Sequence, residues 1–184
     1  EGGGRRVAAG VASAGVRREE PVQLLWLDTS DWPVAFLGCL YAGVVPVAVN
    51  TLLKPDDYAY MLTHCRAQAA LVSGALLPVL NEALALAPHH DVRACVVSQP
   101  QGTLAAGAVD MQAAMANTPA LAAPARTGPD EPGFWLYSSG STGKPKGTVH
   151  TQGSLWWTAE LYGKAVLGLT DRGVCFSAVR LYFV

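Results

Sequence analysis

The sequence predicts a doubly wound α/β fold, with a mostly parallel sheet covered by helices on both faces. Segments of strand length alternate with segments of helical spacing as far as Ser98. The strand segments are continuously apolar, which is typical of strands that are buried on both faces. The composition, 51% hydrophobic and 15% charged, is sufficient for a substantial core.

The first half of the chain is predicted to contain four helix–strand units. An Ala-rich segment of helical spacing precedes the first apolar run. The second helix is expected to begin at Asp31 and to end at Gly43. Pro55, followed by two acidic residues, indicates the start of the third helix, and Pro78 is acceptable in the first turn of the fourth. The predicted helices are 5–16, 31–41, 55–66 and 76–87, and the predicted strands are 22–27, 44–49, 69–72 and 93–98.

One uncharged stretch, 32–53, is long enough to be tested as a membrane-spanning helix. Gly43 and Pro46 interrupt it, because a glycine is typical of a helix end and a proline breaks a continuing helix. A helix, a turn and a buried strand account for the stretch better than a membrane span does. We therefore predict no association with a membrane.

The second half begins with a change of composition. Residues 99–132 are rich in Ala, Gly and Pro, which predicts a surface connection with at most one helix, at 109–116. A compact aromatic strand at 134–137 follows, and residues 154–164 have helical spacing. The tryptophans of these two segments are expected to pack in the core, which is the usual environment of this side chain. They are Trp135, Trp156 and Trp157.

The segment SSGSTGKPKG, residues 138–147, has the composition of a phosphate-binding loop. Its glycines allow main-chain N–H groups to converge on an anion, its hydroxyls donate further hydrogen bonds, and its two lysines offset the charge of a polyphosphate. It is not a Walker loop, because Pro145 follows the Gly–Lys pair where that motif requires Ser or Thr. The alternative interpretation is an exposed hairpin turn with solvated Ser, Gly and Lys side chains.

The charge balance and the cysteines argue against other classes of function. Lys and Arg number 13 and Asp and Glu 14, so no basic surplus is available to neutralise a nucleic-acid backbone. The four cysteines lack the spacing of a zinc or redox motif and are interpreted as reduced core thiols of a cytoplasmic protein. His64 and Cys65 are adjacent and face different ways on a helix, so we predict no metal site. His150 is interpreted as a hydrogen-bonded structural residue rather than a ligand contact.

The loop and its flanking segments resemble the adenylate-forming superfamily. SSGSTGKPKG is similar to its phosphate-binding signature, and the surrounding FWLYSSGSTGKPKGTVHT at 134–151 resembles the benzoate-CoA ligase family. VAFLGCLYAGVVPVAVNTLL at 34–53, YMLTHCRAQAALVSG at 60–74 and VCFSAVRLYF at 174–183 are similar to the same family. The chain departs from the family pattern at Arg180, where relatives usually have Lys, and at Gln152, where a second His is common.

The resemblance implies activation of an aromatic acid, with benzoate as the leading substrate. The carboxylate attacks the α-phosphate of ATP, with Mg²⁺ as counterion, to give acyl-AMP and pyrophosphate, and the thiol of coenzyme A then displaces AMP. The loop would hold the β- and γ-phosphates and stabilise the departing pyrophosphate by preorganised charge. By this resemblance the phosphate-binding residues are Ser138, Ser139, Gly140, Ser141, Thr142, Gly143, Lys144, Lys146 and Gly147, and the candidate acid-pocket residues are Tyr182 and Phe183.

The resemblance also implies that residues 1–184 are a partial N-terminal domain. In the family, the adenine- and ribose-binding residues, the hinge and the C-terminal domain with the adenylation lysine lie downstream. We therefore expect no catalytic residue within this chain and no turnover by it alone, and the missing initiator Met suggests that it begins within a longer protein. No ligand of Mg²⁺ and no oligomeric state can be assigned.

Other functions stay open at this point. The chain could be a non-catalytic module that binds polyphosphate through the same loop, or an inactive ligase fragment. The chain could also belong to an adenylating enzyme that activates a different carboxylic acid. A purely structural α/β domain would bind no phosphate, and Lys144→Ala would then have no effect on ATP binding.

Overall fold

The computed structural model describes residues 2–138 and 143–182. Its strands are β1 (Pro21–Leu25), β2 (Val45–Ala48), β3 (Ala69–Ser73), β4 (Ala94–Ser98), β5 (Ala108–Asp110), β6 (Pro132–Ser138) and β7 (Lys146–Thr151). They form one sheet in the order β5–β4–β3–β1–β2–β6–β7. All neighbouring pairs are parallel except β6 and β7, which form an antiparallel hairpin. The predicted α/β class with a mostly parallel sheet is confirmed.

Helices cover both faces of this sheet. They are α1 (Gly2–Ser13), α2 (Asp31–Ala42), α3 (Pro55–Cys65), α4 (Leu77–Leu86), α5 (Met111–Asn117) and α6 (Gln152–Trp157). A short 3₁₀ turn precedes α4, and α6 continues as a π-helical segment, Thr158–Lys164. Helices α1, α2 and α5 pack together on one face, and α3 and α4 on the other. The core therefore has two layers, one on each side of the sheet.

The strands are continuously apolar because, as the sequence predicts, they are buried on both faces of the sheet. On β1, Leu24 is buried in the layer of α1 and α2, whereas the next residue, Leu25, is buried in the layer of α3 and α4. On β3, Leu71 and Val72 divide between the two layers in the same way, and all four side chains are inaccessible to solvent. A strand buried on both faces has no position at which a polar side chain would be solvated.

The uncharged stretch 32–53 folds as helix, turn and strand. Helix α2 is capped at its C-terminal end by Gly43, whose φ of 72° lies in the left-handed region, and β2 begins two residues later. A Cβ at Gly43 would lie 2.7 Å from Cβ of Ala125, so this turn also requires glycine for space. Among the described residues, no helix combines the length and apolar character that crossing a membrane requires.

Two elements differ from the sequence-based boundaries in the region 99–132. Residues 108–110 form the edge strand β5 instead of the first turn of a helix. The helix α5 begins at Met111, because the Asp110 side chain accepts hydrogen bonds from the N–H groups of Gln112 and Ala113 and thereby caps it. The apolar Val109 fits either a helix or a short strand, so periodicity alone could not separate the two.

The C-terminal region differs more strongly. The segment 174–183, which resembles the family in sequence, contains no regular secondary structure over its described residues. Trp156 and Trp157 are 58% and 53% exposed, so the expected core packing is wrong for both, whereas Trp135 packs against the layer of α3 and α4. The expectation of core thiols holds for the buried Cys39 and Cys65 but is wrong for the exposed Cys175.

Candidate functional site

The carboxyl ends of the parallel strands define one edge of the sheet at which the candidate site lies. Helix α2 follows β1 on one face, and α3 follows the adjacent strand β2 on the opposite face. The chain thus crosses to opposite faces of the sheet after these two neighbouring strands. In open α/β sheets, ligands bind in the crevice formed at such a point. Because β6 is parallel to β2, the segment that follows Ser138 emerges at this same edge.

The predicted phosphate loop is the tip of the β6–β7 hairpin. Ser138 and Lys146 are paired across the base of the tip. Ser139, Gly140, Ser141 and Thr142 lie outside the described residues. The structure thus contains a hairpin, as the alternative interpretation of an exposed turn requires. The hairpin lies at the carboxyl edge of the sheet, however, which is also the position required of a ligand-binding loop.

Two glycines of the loop serve different purposes. Gly143 has a φ of 81° and open space around its Cβ position, so it is present for backbone conformation. Gly147 is paired with Tyr137 in the hairpin, and a Cβ there would lie 3.2 Å from the Trp135 ring. Gly147 therefore provides room for the aromatic side chains of β6.

The two lysines of the loop occupy different environments. Lys146 is exposed at the start of β7. Lys144 is also exposed, but its Nζ lies 5.2 Å from the ring centroid of Tyr60, a residue of α3. A cation over an aromatic face is attracted by the ring quadrupole. The loop is thereby connected to α3.

Below the loop, α3 and β6 share an aromatic cluster, which consists of Tyr60, His64, Trp135 and Tyr137. The rings of Tyr60 and His64 stack with their centroids 5.2 Å apart, and Nδ1 of His64 lies 2.8 Å from the Tyr137 hydroxyl. Burial raises the pKa of Tyr137 above its ordinary value, so this phenol stays protonated at neutral pH. The cluster fixes the end of β6 immediately before the loop begins.

The crevice between β1 and β2 is occupied by residues from near the C-terminal end of the chain. Nη1 of Arg180 donates to Oγ1 of Thr51 over 3.0 Å, and the N–H of Leu181 donates to Oδ1 of Asp28 over 3.0 Å. Tyr182, a predicted pocket residue, is buried against the core layer of α1 and α2. Phe183, the other predicted pocket residue, lies outside the described residues.

Another hydrogen bond holds this edge of the sheet together. The Ser98 hydroxyl, at the end of β4, donates to Oδ2 of Asp31 over 2.6 Å. Asp31 is the first residue of α2, where its negative charge also suits the positive end of the helix dipole.

Sequence reasoning missed several of these residues. It treated His64 only as a poor metal ligand and did not single out Tyr60, Asp28 or Thr51. The i, i+4 spacing of Tyr60 and His64 places both on one face of α3, and this spacing was the available signal. His150, expected to be structural, stacks on Phe134 with the rings 4.6 Å apart and 4° from parallel.

Burial makes three of the four thiols unreactive, whereas Cys175 is exposed. Burial raises the pKa of Cys39 to about 12 and those of Cys65 and Cys95 to about 11, so these thiols are protonated and unreactive at neutral pH. No three His, Cys, Asp or Glu residues of the described ranges come together as a metal-binding group.

Comparison with known proteins identifies the family. The model of the AMP-binding enzyme family matches residues 4–184. The chain belongs to this family. A benzoate–CoA ligase of Thauera aromatica is 43% identical over 169 residues, covering 92% of this chain and 31% of that protein. A 4-hydroxybenzoate–CoA/benzoate–CoA ligase of Rhodopseudomonas palustris is 38% identical over 178 residues, and the match covers 97% of this chain and 32% of that protein. The chain thus spans about a third of the curated relatives it matches.

Solved structures of AMP-binding enzymes share the fold described above. A benzoate CoA ligase from Burkholderia xenovorans LB400 superposes with a TM-score of 0.86 at 46% identity, over 100% of this chain and 34% of that one. The anthranilate CoA ligase AuaEII, in complex with anthranoyl-AMP, superposes with a TM-score of 0.92 at 31% identity, over 99% of this chain and 34% of that one. The predicted resemblance to aromatic acid ligases is therefore confirmed.

Proposed function

We propose that this chain is part of an enzyme that activates an aromatic carboxylic acid, with benzoate as the leading substrate, to its CoA thioester through acyl-AMP. The observation that carries the proposal is the SSGSTGKPKG segment, which connects the two strands of a hairpin at the carboxyl edge of an AMP-binding fold. The names of the relatives, which include benzoate, hydroxybenzoate and anthranilate ligases, support an aromatic acid.

The loop's proposed role is to bind the β- and γ-phosphates of ATP. Main-chain N–H groups and the hydroxyls of 138–142 would donate hydrogen bonds, and Lys144 and Lys146 would supply positive charge. As the acid's carboxylate attacks the α-phosphate, negative charge develops on the departing pyrophosphate. Fixed donors and cations stabilise that charge without reorganising during the reaction, so the chain needs no nucleophile of its own for this step.

Mg²⁺ belongs to this proposal as the counterion of ATP. It would neutralise part of the polyphosphate charge. The described residues provide hydroxyls and lysines at the hairpin, and no carboxylate cluster that would suit a divalent cation. We therefore assign none of the described residues as a Mg²⁺ ligand.

The acid pocket is proposed to include Tyr182, next to the crevice between β1 and β2, and Phe183, which follows it in the sequence. The hydrogen bonds from Arg180 to Thr51 and from Leu181 to Asp28 support this, because they hold the segment at the point where α/β sheets bind ligands. Coenzyme A is the proposed acceptor of the acyl group, and the cytoplasm, where ATP and coenzyme A are used, is the proposed location.

The experiment that tests the function is ATP–pyrophosphate exchange by the intact protein across a panel of acids. We expect exchange with benzoate and substituted benzoates and little with fatty acids. Lys144→Ala should weaken ATP binding, measured by calorimetry. ATP binding without exchange for any acid would instead favour a non-catalytic polyphosphate-binding module, and no ATP binding at all would contradict the loop assignment.

A further inference from the structure

Lys144 has an unusual environment for a phosphate-binding lysine. Its ammonium group lies over the Tyr60 ring, at 5.2 Å from the centroid. Within the described parts of the chain, no carboxylate forms an ion pair with it. Among the described residues, the ring of Tyr60 is therefore a group that can hold this flexible side chain in place.

The Tyr60 ring is itself held in place by its stacking on His64. It is part of α3, and it stacks on His64 one helical turn later, with the ring planes 26° apart. His64 in turn contacts the Tyr137 hydroxyl at 2.8 Å and the Trp135 ring edge-to-face. The ring is thus positioned by the same cluster that fixes β6 immediately before the loop.

We propose that Tyr60 is a positioning residue that preorganises Lys144 for the polyphosphate. The proposal rests on the phosphate-binding role of the loop proposed above. A free lysine side chain loses much rotamer freedom when it binds an anion, and a side chain that is already ordered loses less. The ammonium group has three N–H donors, and contact with the ring on one side leaves donors free for phosphate oxygens on the other. Ring contact and phosphate binding are therefore compatible.

The test is calorimetric binding of pyrophosphate and of ATP to the intact protein. Tyr60→Leu removes the aromatic face, and we expect affinity to fall about threefold to fivefold, the size of an exposed cation–π interaction. Tyr60→Phe keeps the face and should restore wild-type affinity. In a Lys144→Ala background, Tyr60→Leu should have no further effect, because the lysine it positions is gone.

A second series of variants at position 60 provides the test if the Tyr60→Leu protein does not fold. Tyr60→Phe and progressively fluorinated phenylalanines at the same position keep the shape of the ring while reducing its negative face. We expect pyrophosphate affinity to decrease with each added fluorine. An affinity independent of fluorination would overturn the inference.

The remaining outcomes separate this inference from the proposed function. If Lys144→Ala leaves ATP and pyrophosphate affinity unchanged, the loop assignment fails, and this inference fails with it. If Lys144→Ala weakens binding but Tyr60→Leu has the same effect with and without Lys144, the inference alone is wrong. Tighter binding by Tyr60→Leu would show that the ring competes with phosphate for the lysine, which also overturns it.

Discussion

Two regions of this chain bury their apolar side chains to very different extents. Between β1 and β4, large side chains such as Trp26 and Leu71 are completely inaccessible to solvent. Between α6 and the last described residue, Val174 and Phe176 are 97% and 92% exposed. The first region alternates strands and helices, so each apolar surface meets a second layer. In the described part of the second region, most of the large apolar side chains of α6 and the residues after it have no such layer, although Tyr182 is buried against the core.

The comparison shows that apolar composition alone does not determine burial. Trp156 and Trp157 are large apolar side chains in a helical segment, as Trp32 and Phe36 are in α2, yet each exposes more than half of its surface. What distinguishes α2 is that it is connected to a strand on either side and therefore packs on a sheet.

The largest expected difference between the regions is the effect of deleting a leucine side chain. Leu71→Ala leaves a cavity at a fully buried position of β3 and should cost about 2 to 5 kcal/mol of unfolding free energy. Leu161→Ala, at a position 62% exposed, should change it by about 0.5 kcal/mol or less. Urea unfolding of the 184-residue chain measures both. Equal losses would show that the two regions share one core.

The hairpin that carries the loop gives the next largest effect. A Cβ at Gly133 would lie 2.7 Å from the backbone carbonyl of Thr151, so Gly133→Ala forces the strands of the hairpin apart. We expect a loss of about 1 to 3 kcal/mol and weaker ATP binding. Gly10→Ala is the matched control, because it adds a methyl group to open space within α1 and should be neutral or slightly stabilising. A stable Gly133→Ala protein with normal ATP affinity would contradict the tight packing of this hairpin.

The carboxyl edge of the buried region gives a smaller effect. Ser98 is 2% exposed and donates to the Asp31 carboxylate, so Ser98→Ala should cost about 1 kcal/mol. Ser13→Ala is the control, since the Ser13 hydroxyl bonds an exposed carbonyl of its own helix and its loss should change stability little. Thermal unfolding of the two variants provides the comparison. A larger loss of stability in Ser13→Ala than in Ser98→Ala would contradict the stabilising role of the hydrogen bond between Ser98 and Asp31.

The buried region was also the region that the sequence predicted best. The observed ends of α2, β2, α3 and β3 fall within one residue of the expected ones, because Gly43 and Pro55 mark helix limits and the strands are continuously apolar. Local signals and tertiary packing agree there. No separate strand was predicted for β7, because most of its residues are Lys, Gly, Thr and His and have no strand-like apolar pattern, and pairing with β6 makes it a strand.

The candidate site was predictable only where it is continuous in sequence. The loop was recognisable because its Gly, Ser and Lys residues are consecutive. The contacts of Lys144 with Tyr60 and of Arg180 with Thr51 join residues that are far apart in the chain. No local pattern encodes such pairs, since they follow from the order of the strands and from the helix that crosses each face of the sheet.

The smallest expected effect concerns the ion pair that connects the segment before β1 with the start of the β6–β7 hairpin. Glu131, just before β6, accepts from the Gly128 N–H and from Arg18, which precedes β1. These two bonds hold the pKa of the Glu131 carboxyl below its ordinary value of 4.5. A carboxyl with a lowered folded-state pKa stabilises the fold above its unfolded pKa, and this contribution is lost as the pH falls through the folded-state pKa. Glu131→Gln should therefore lower stability at neutral pH and flatten its decrease below about pH 4.5.

Denaturant unfolding at several pH values measures this contribution. Glu82→Gln is the control, because the described residues give Glu82 no ion pair, and its variant should keep the wild-type pH profile. The Glu131 side chain is partly exposed, and its partner Arg18 is exposed, so the effect should shrink further at high salt. If Glu131→Gln instead kept the wild-type slope below pH 4.5, other carboxyls would cause the acid sensitivity. The connection between β1 and the hairpin would then rest on strand pairing and core packing alone.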